Sequence, residues 1–259
     1  NRSRNRSRSP NPRTRSSMAL LLALAAGGRA GSTFPCATVE ECAKTDLWHI
    51  PGPNPIVAPT GTKDWMSTEC EVAGGVFQDE QGTYLFVYHC TGHQSSYQVG
   101  ISTAAHPLGP WSKPPTTPNL KYDKGQWDES VVASFNILPD PKNEGAWVGF
   151  YEGGMGPGSG GLWSMGVARA KNPLGPWVKS DKNPVLAGNR TCDPSREFAK
   201  HCGGLYVAAV AHGPHTKNEF WAYMEAPINP NDEGPLSLWA APEAEGPWRF
   251  VAYVIDGRA

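Results

Sequence analysis

Acidic side chains stand just ahead of three apolar runs. Thr68-Glu69-Cys70-Glu71-Val72 offers Glu69 and Glu71, Trp127-Asp128-Glu129-Ser130 offers Asp128 and Glu129, and Cys192-Asp193-Pro194 offers Asp193 with Glu197 close behind. Two carboxylates facing one bond, one protonated and one ionised, can cleave it by general acid–base or nucleophilic chemistry. Glu71 lies 11 residues before Gly82 and Asp193 lies 11 before Gly204, while Asp128 lies 17 before Gly145. That correspondence singles out Glu71, Asp128 and Asp193, with Glu69, Glu129 and Glu197 as near substitutes. A turn cap or a surface ion pair explains any one of them equally well. Acids at three corresponding positions are harder to explain that way.

Other chemistries find less support. No Ser-His-Asp set is discernible, and the stretch Gly153–Gly161 lacks both the Lys-Ser/Thr and the following helix of a phosphate-binding loop. His212-Gly213-Pro214-His215 reads as a surface loop, with His212 the member that can face a central site. The six cysteines form no CxxC pair and no HxxxH accompanies them, so neither metal nor organic cofactor is expected. Six arginines fall in residues 1–17; from Met18 onward 17 basic residues meet 24 acidic ones, a net of −7. A body that acidic lacks the clustered cations of a nucleic-acid binder.

The elements that must position these acids repeat. Segments 99–113 (VGISTAAHPLGPWSK), 165–179 (MGVARAKNPLGPWVK) and, more loosely, 236–250 (LSLWAAPEAEGPWRF) place Gly-Pro-Trp triplets at Gly109, Gly175 and Gly246, spaced by 66 and 71 residues. Upstream lie GTYLFVYHC, GAWVGFYEG and GLYVAAVAH from Gly82, Gly145 and Gly204, spaced by 63 and 59. Each is dense in aromatic and β-branched residues and reads as a strand. Gly100, Ser102 and Ala104 alternate with bulkier residues, as on a strand packed closely against a neighbour. A further apolar stretch precedes each of these runs: Val72–Phe77, Val131–Leu138 and, less clearly, Arg196–His201. About four strands per unit make a propeller blade, so the fold class is an all-β propeller with about three blades traceable. Glycine (29) and proline (25) supply a fifth of the chain, which suits short strands and many turns. Trp111, Trp177 and Trp248 recur at one place in each unit and read as packing plugs between blades.

The succession Asn54-Pro55-Ile56, GTYLFVY, a Gly-x-Ala/Ser strand, PLGPW and Asn183–Leu186 (NPVL) resembles the five-bladed β-propeller glycosidases, which include glycoside hydrolase families 43, 32, 68 and 117. The likeness covers residues 50–250 and is nearest to family 43, whose members cleave arabinosides, xylosides and related plant or algal glycans. It implies a first-blade base (Glu71), a second-blade acid that tunes pKa and orientation (Asp128) and a third-blade proton donor (Asp193). The resemblance also departs from the family, with Glu in place of the usual first-blade Asp and no clearly aligned third-blade Glu. Trp65, Trp127, Glu152 and His212 are the candidate substrate contacts, the tryptophans by stacking on the apolar faces of sugar rings. Five closed blades need about 300 residues at ~60–65 each, more than this chain holds, so a C-terminally truncated or degenerate relative is expected.

The remaining segments divide simply. Residues 1–17 are Arg/Ser-rich and upstream of the fold, 18–30 read as a secretory signal, 31–49 as a cysteine-containing lead-in and 50–259 as the propeller. An apolar run this short does not span a bilayer. The even number of cysteines and the acceptor Asn189-Arg190-Thr191 agree with a secreted, disulfide-bonded glycoprotein, within which Cys36–Cys42 and Cys192–Cys202 are each close enough in sequence to staple a loop. The expected partner is a carbohydrate substrate. The competing functions are a non-catalytic carbohydrate-binding propeller and a protein-interaction module.

Overall fold

Aromatic and β-branched runs bounded by glycine, proline and aspartate turns form strands throughout. The computed structural model describes residues 55–62, 64–92, 96–157, 162–188, 205–214, 219–225 and 236–255, all within the unit Gly52–Ala259. Residues 1–49, Asn189, Asp193, the stretch Arg196–His201 (with Glu197), His215 and the cysteines 36, 42, 192 and 202 lie outside the described residues. The first blade comprises β1 (Glu69–Gln78), β2 (Tyr84–Thr91) and β3 (Tyr97–Ala104). The second comprises β4 (Val131–Pro139), β5 (Trp147–Gly154), β6 (Ser164–Ala170) and β7 (Val178–Lys179). The third comprises β8 (Tyr206–His212), β9 (Phe220–Glu225), β10 (Leu236–Ala241) and β11 (Arg249–Ile255).

Within each blade the strands pair antiparallel in chain order. A single parallel pair, Tyr97 with Val131, joins β3 to β4, so the first two blades share one ladder while the third is a separate sheet. Strand β4 lies against β1 on one side and β8 on the other, which makes these three the innermost strands. Among the described residues no ladder closes the third blade onto the first. Among them, too, no helix is long and apolar enough to cross a membrane.

One strand assignment from sequence is corrected. The run from Gly204 shares the pattern of β2 and β5, the second strands of their blades, but β8 pairs only with β9 and is an innermost strand like β1 and β4. The true second strand of the third blade is Phe220–Glu225. Both kinds of strand carry valines, alanines and aromatics, and hydrogen-bond partners are what separate them. The shared 11-residue count ahead of Gly82 and Gly204 therefore compares unlike strands.

Two apolar seams hold the blades together. Strand β5 is buried along its whole length and alternates between them. Trp147 and Tyr151 join Leu85, Val99 and Ile101 of the first blade, whereas Val148 and Phe150 join Val210, Phe220 and Met224 of the third. Trp177 stands edge-on to Phe135, with ring centres 4.7 Å apart, and Trp248 crosses the second seam to Phe150 at 5.9 Å. Each indole N–H donates to a carbonyl four residues earlier, Pro173 and Ala244, at 3.1 and 3.2 Å. The small residues of β3 and β6 have a steric cause: a Cβ at Gly100 or Gly166 would fall 2.5 Å from the ring of Tyr88 or Tyr151 on the neighbouring strand.

Candidate active site

The same two features recur where the inner strands converge. A bulge interrupts each of them, between Val72 and Gly75, Ala133 and Asn136, and Val207 and Ala209. The sixth residue of each second strand is polar: His89 in YLFVYH, Glu152 in WVGFYE and Glu225 in FWAYME. These pair across the ladder with Glu71, Ala133 and Tyr206, just ahead of the bulges. Bulges bend a strand and re-aim its side chains. Here they bring all six residues onto one cleft of about 350 Å³, together with Ser134, Val207, Tyr97 and Trp163.

Backbone close-packing fixes the bulges against each other. A Cβ at Gly74 would lie 2.1 Å from the carbonyl oxygen of Phe135, an approach open only to glycine. Ser134 takes a φ of 43°, a left-handed conformation unusual for a residue with a side chain. Strain of this kind persists where packing over-determines it and is concentrated at functional sites.

The carboxylates of the cleft have unlike surroundings. Glu152 is almost fully buried. Burial pushes its carboxyl up to about 8, and the Glu225 charge adds to the rise; hydrogen bonds from the Ser134 hydroxyl and the Val207 amide oppose it. The Glu71 side chain is 60% exposed, with Oε2 at 3.5 Å from His89 Nε2. Burial holds His89 below the ordinary imidazole range, against the raising influence of Glu71 and Glu69. The Tyr206 hydroxyl is raised by burial and by the charges of Glu225 and Glu152. An aromatic wall runs across the three blades: Tyr97 is edge-on to Trp163 at 6.1 Å, and Trp163 is tilted against Tyr206 at 5.3 Å. Such a cleft can hold an uncharged, ring-shaped polar molecule between apolar faces and a proton-bearing carboxyl.

Of the residues singled out from sequence, Glu71 and Glu152 line this cleft. Glu69 accepts from the Thr91 hydroxyl at 3.0 Å. Asp128 is buried and does not line this cleft; it lies 2.5 Å from Lys179 Nζ and 3.2 Å from the Tyr151 hydroxyl, which donates to it. Glu129 is half-buried in the turn before β4, its amide bonded to the Gln126 carbonyl. Trp65 is stacked on Tyr88 and Trp127 on Tyr151, and neither ring lines this cleft. His212 ends β8, six residues from Tyr206 and hence about 20 Å away along the strand at ~3.3 Å per residue. His89, Tyr97, Trp163, Tyr206 and Glu225 were not anticipated. Aligning YLFVYH, WVGFYE and FWAYME would have exposed His89 and Glu225 beside Glu152.

Two larger grooves, about 620 Å³ beside Asn119 and Lys179 and about 490 Å³ beside Trp65 and Lys113, each contain a single carboxylate. Among the described residues no cluster of His, Cys, Asp and Glu is arranged to hold a metal.

Neither a protein-family model nor a curated protein sequence matches the chain. Solved structures do. A fructofuranosidase variant from Schwanniomyces occidentalis, complexed with fructosylnystose, is similar over 78% of this chain and 36% of its own, with 14% identity and a TM-score of 0.53. Fructan 1-exohydrolase IIa from Cichorium intybus is similar over 71% of this chain and 32% of its own, with 16% identity and a TM-score of 0.50. The chain thus spans about a third of the length of these enzymes. It shares the fold of the five-bladed β-propeller glycosidases that its motifs resemble.

Proposed function

We propose that this propeller is a glycoside hydrolase, with Glu152 the proton donor and Glu71 the base or nucleophile. The observation that carries the reading is the contrast between the two carboxyls of one cleft. Glu152 is buried and holds its proton at neutral pH, whereas Glu71 is open to solvent. Glycosidic cleavage needs such a pair, one carboxyl to protonate the leaving oxygen and another to attack the anomeric carbon or activate water. Glu225 sustains the proton on Glu152, and Trp163, Tyr97 and Tyr206 receive the apolar face of a sugar ring.

The substrate class is an oligo- or polysaccharide of plant or algal type. The motifs direct the first assays to arabinosides and xylosides, and the names of the fold's relatives add fructosides. A secreted location belongs to the same reading and is supported by the disulfide Cys70–Cys90, which ties β1 to β2 beside Glu71. Retention inside an export-competent host of a chain begun at Met18 would remove that part.

The test compares aryl glycosides with good and poor leaving groups. Glu152→Gln should cost roughly 10²–10⁴ in turnover on the poor leaving group, which needs a proton, and far less on the good one. Glu71→Gln should abolish both. Saturable glycan binding without turnover assigns the cleft to carbohydrate recognition instead.

A further inference from the structure

His89 occupies the position that Glu152 and Glu225 hold in the other two blades, and no part of the acid–base pair requires it. Its side chain is 9% exposed, yet Nδ1 is buried with no hydrogen-bond partner. Its Nε2 points the other way, 3.5 Å from Glu71 Oε2, and its ring is edge-on to Tyr97 at 5.3 Å. The charged and titratable groups around it are Glu71 and Glu69 on β1 and Tyr97 on β3, with Glu152, Glu225 and Tyr206 also on the cleft. A buried ring nitrogen with no acceptor is a poor place for a proton, because an N–H there would go unsatisfied. The other nitrogen faces a carboxylate, and that contact decides the tautomer.

From this geometry we infer that His89 is the positioning residue of Glu71, a neutral imidazole donating through Nε2–H to aim that carboxylate into the cleft. The inference deepens the hydrolase reading and rests on it for Glu71's part in catalysis. It explains why this register position carries histidine only in the blade whose inner strand contributes an acid. In the other two blades the facing residues are Ala133 and Tyr206, and the position carries glutamate. The low proton affinity that burial imposes on the ring agrees with a donor that stays neutral.

Two measurements test it. Nitrogen-15 NMR of the imidazole should find the proton on Nε2 with Nδ1 bare, and Glu71→Gln should move the His89 titration to lower pH, since a carboxylate's charge favours the imidazolium. A proton on Nδ1, or a titration indifferent to Glu71→Gln, overturns the inference. The second measurement is turnover. His89→Phe, which keeps a ring against Tyr97, should lower kcat roughly 10- to 100-fold. His89→Gln, whose amide N–H can replace Nε2–H, should restore most of that loss. An equal loss in the two variants means His89 only packs, and overturns the proposal. Should the NMR couple be found while no form hydrolyses any glycoside, the hydrolase reading falls and the His89–Glu71 couple stands.

Discussion

Glu152 of β5 and Glu225 of β9 hold the same place in consecutive blades, each the sixth residue of its strand and each directed at the one cleft. The Glu225 charge is one reason Glu152 keeps its proton. Glu225→Gln removes that charge, so Glu152 should lose its proton at lower pH. A proton donor sets the basic limb of the pH–rate profile, and that limb should move down by up to about one pH unit. A basic limb that stays in place would separate Glu225 from Glu152.

The same carboxyl governs stability. Its folded pKa, about 8, lies above the ordinary 4.5, so the folded protein binds a proton that the unfolded chain releases across that window. The Glu152 contribution to stability therefore falls as pH rises from about 4.5 to about 8 and levels off above it, while buried His89 contributes the opposite slope near the imidazole range. Glu152→Gln removes that contribution and leaves those of the other groups in place. Denaturant titrations of the two proteins should diverge from near-equality at pH 5 to a variant advantage on the order of 2–4 kcal/mol at pH 8. Parallel curves would mean that Glu152 is solvated.

The recurring Gly-Pro-Trp triplets and aromatic runs made the blades legible, since each strand carries its own turn signals and alternation. Strand β9 was missed because FWAYME follows no glycine turn of the kind found at Gly82 and Gly145. Its absence shifted the third blade by one strand and hid Glu225. Glu71 was legible as an acid opening an inner strand. Asp128 satisfied the same rule, but its side chain goes to a lysine on β7, 51 residues later, a contact no local pattern encodes. The bulges that aim the cleft's side chains are likewise properties of strand pairs and leave little mark on either strand alone.

Asp128, 1% exposed, pairs with the half-buried Lys179 at 2.5 Å, and its second oxygen is without a partner. Lys179 also reaches Asp123 Oδ2 at 2.9 Å, so it is removal of the lysine that leaves a buried carboxylate without its cation. Lys179→Met should cost about 3–5 kcal/mol, and the double variant Lys179→Met with Asp128→Asn should recover a large part of it. Both should retain turnover per folded molecule. Loss of kcat in a folded Asp128→Asn protein would show that this residue takes part in catalysis, as its resemblance-based role implies.

The neighbouring glycines of the first bulge separate steric from conformational cost. At Gly74 an added Cβ meets the Phe135 backbone at 2.1 Å, so the β1 and β4 bulges would have to move apart. At Gly75 an added Cβ meets nothing within 4 Å, but φ is +100°. Gly75→Ala should therefore cost about 1–2 kcal/mol of backbone strain and leave the cleft's chemistry unchanged. Gly74→Ala should cost about 1–3 kcal/mol or more, as overpacking does. It should also displace Glu71 from Glu152, because Glu71 rides on β1 while Glu152 is on β5, the ladder partner of β4. Unfolding free energies measure the first difference and kcat the second. Equal effects of the two substitutions on kcat would show that the bulge contact positions neither carboxyl.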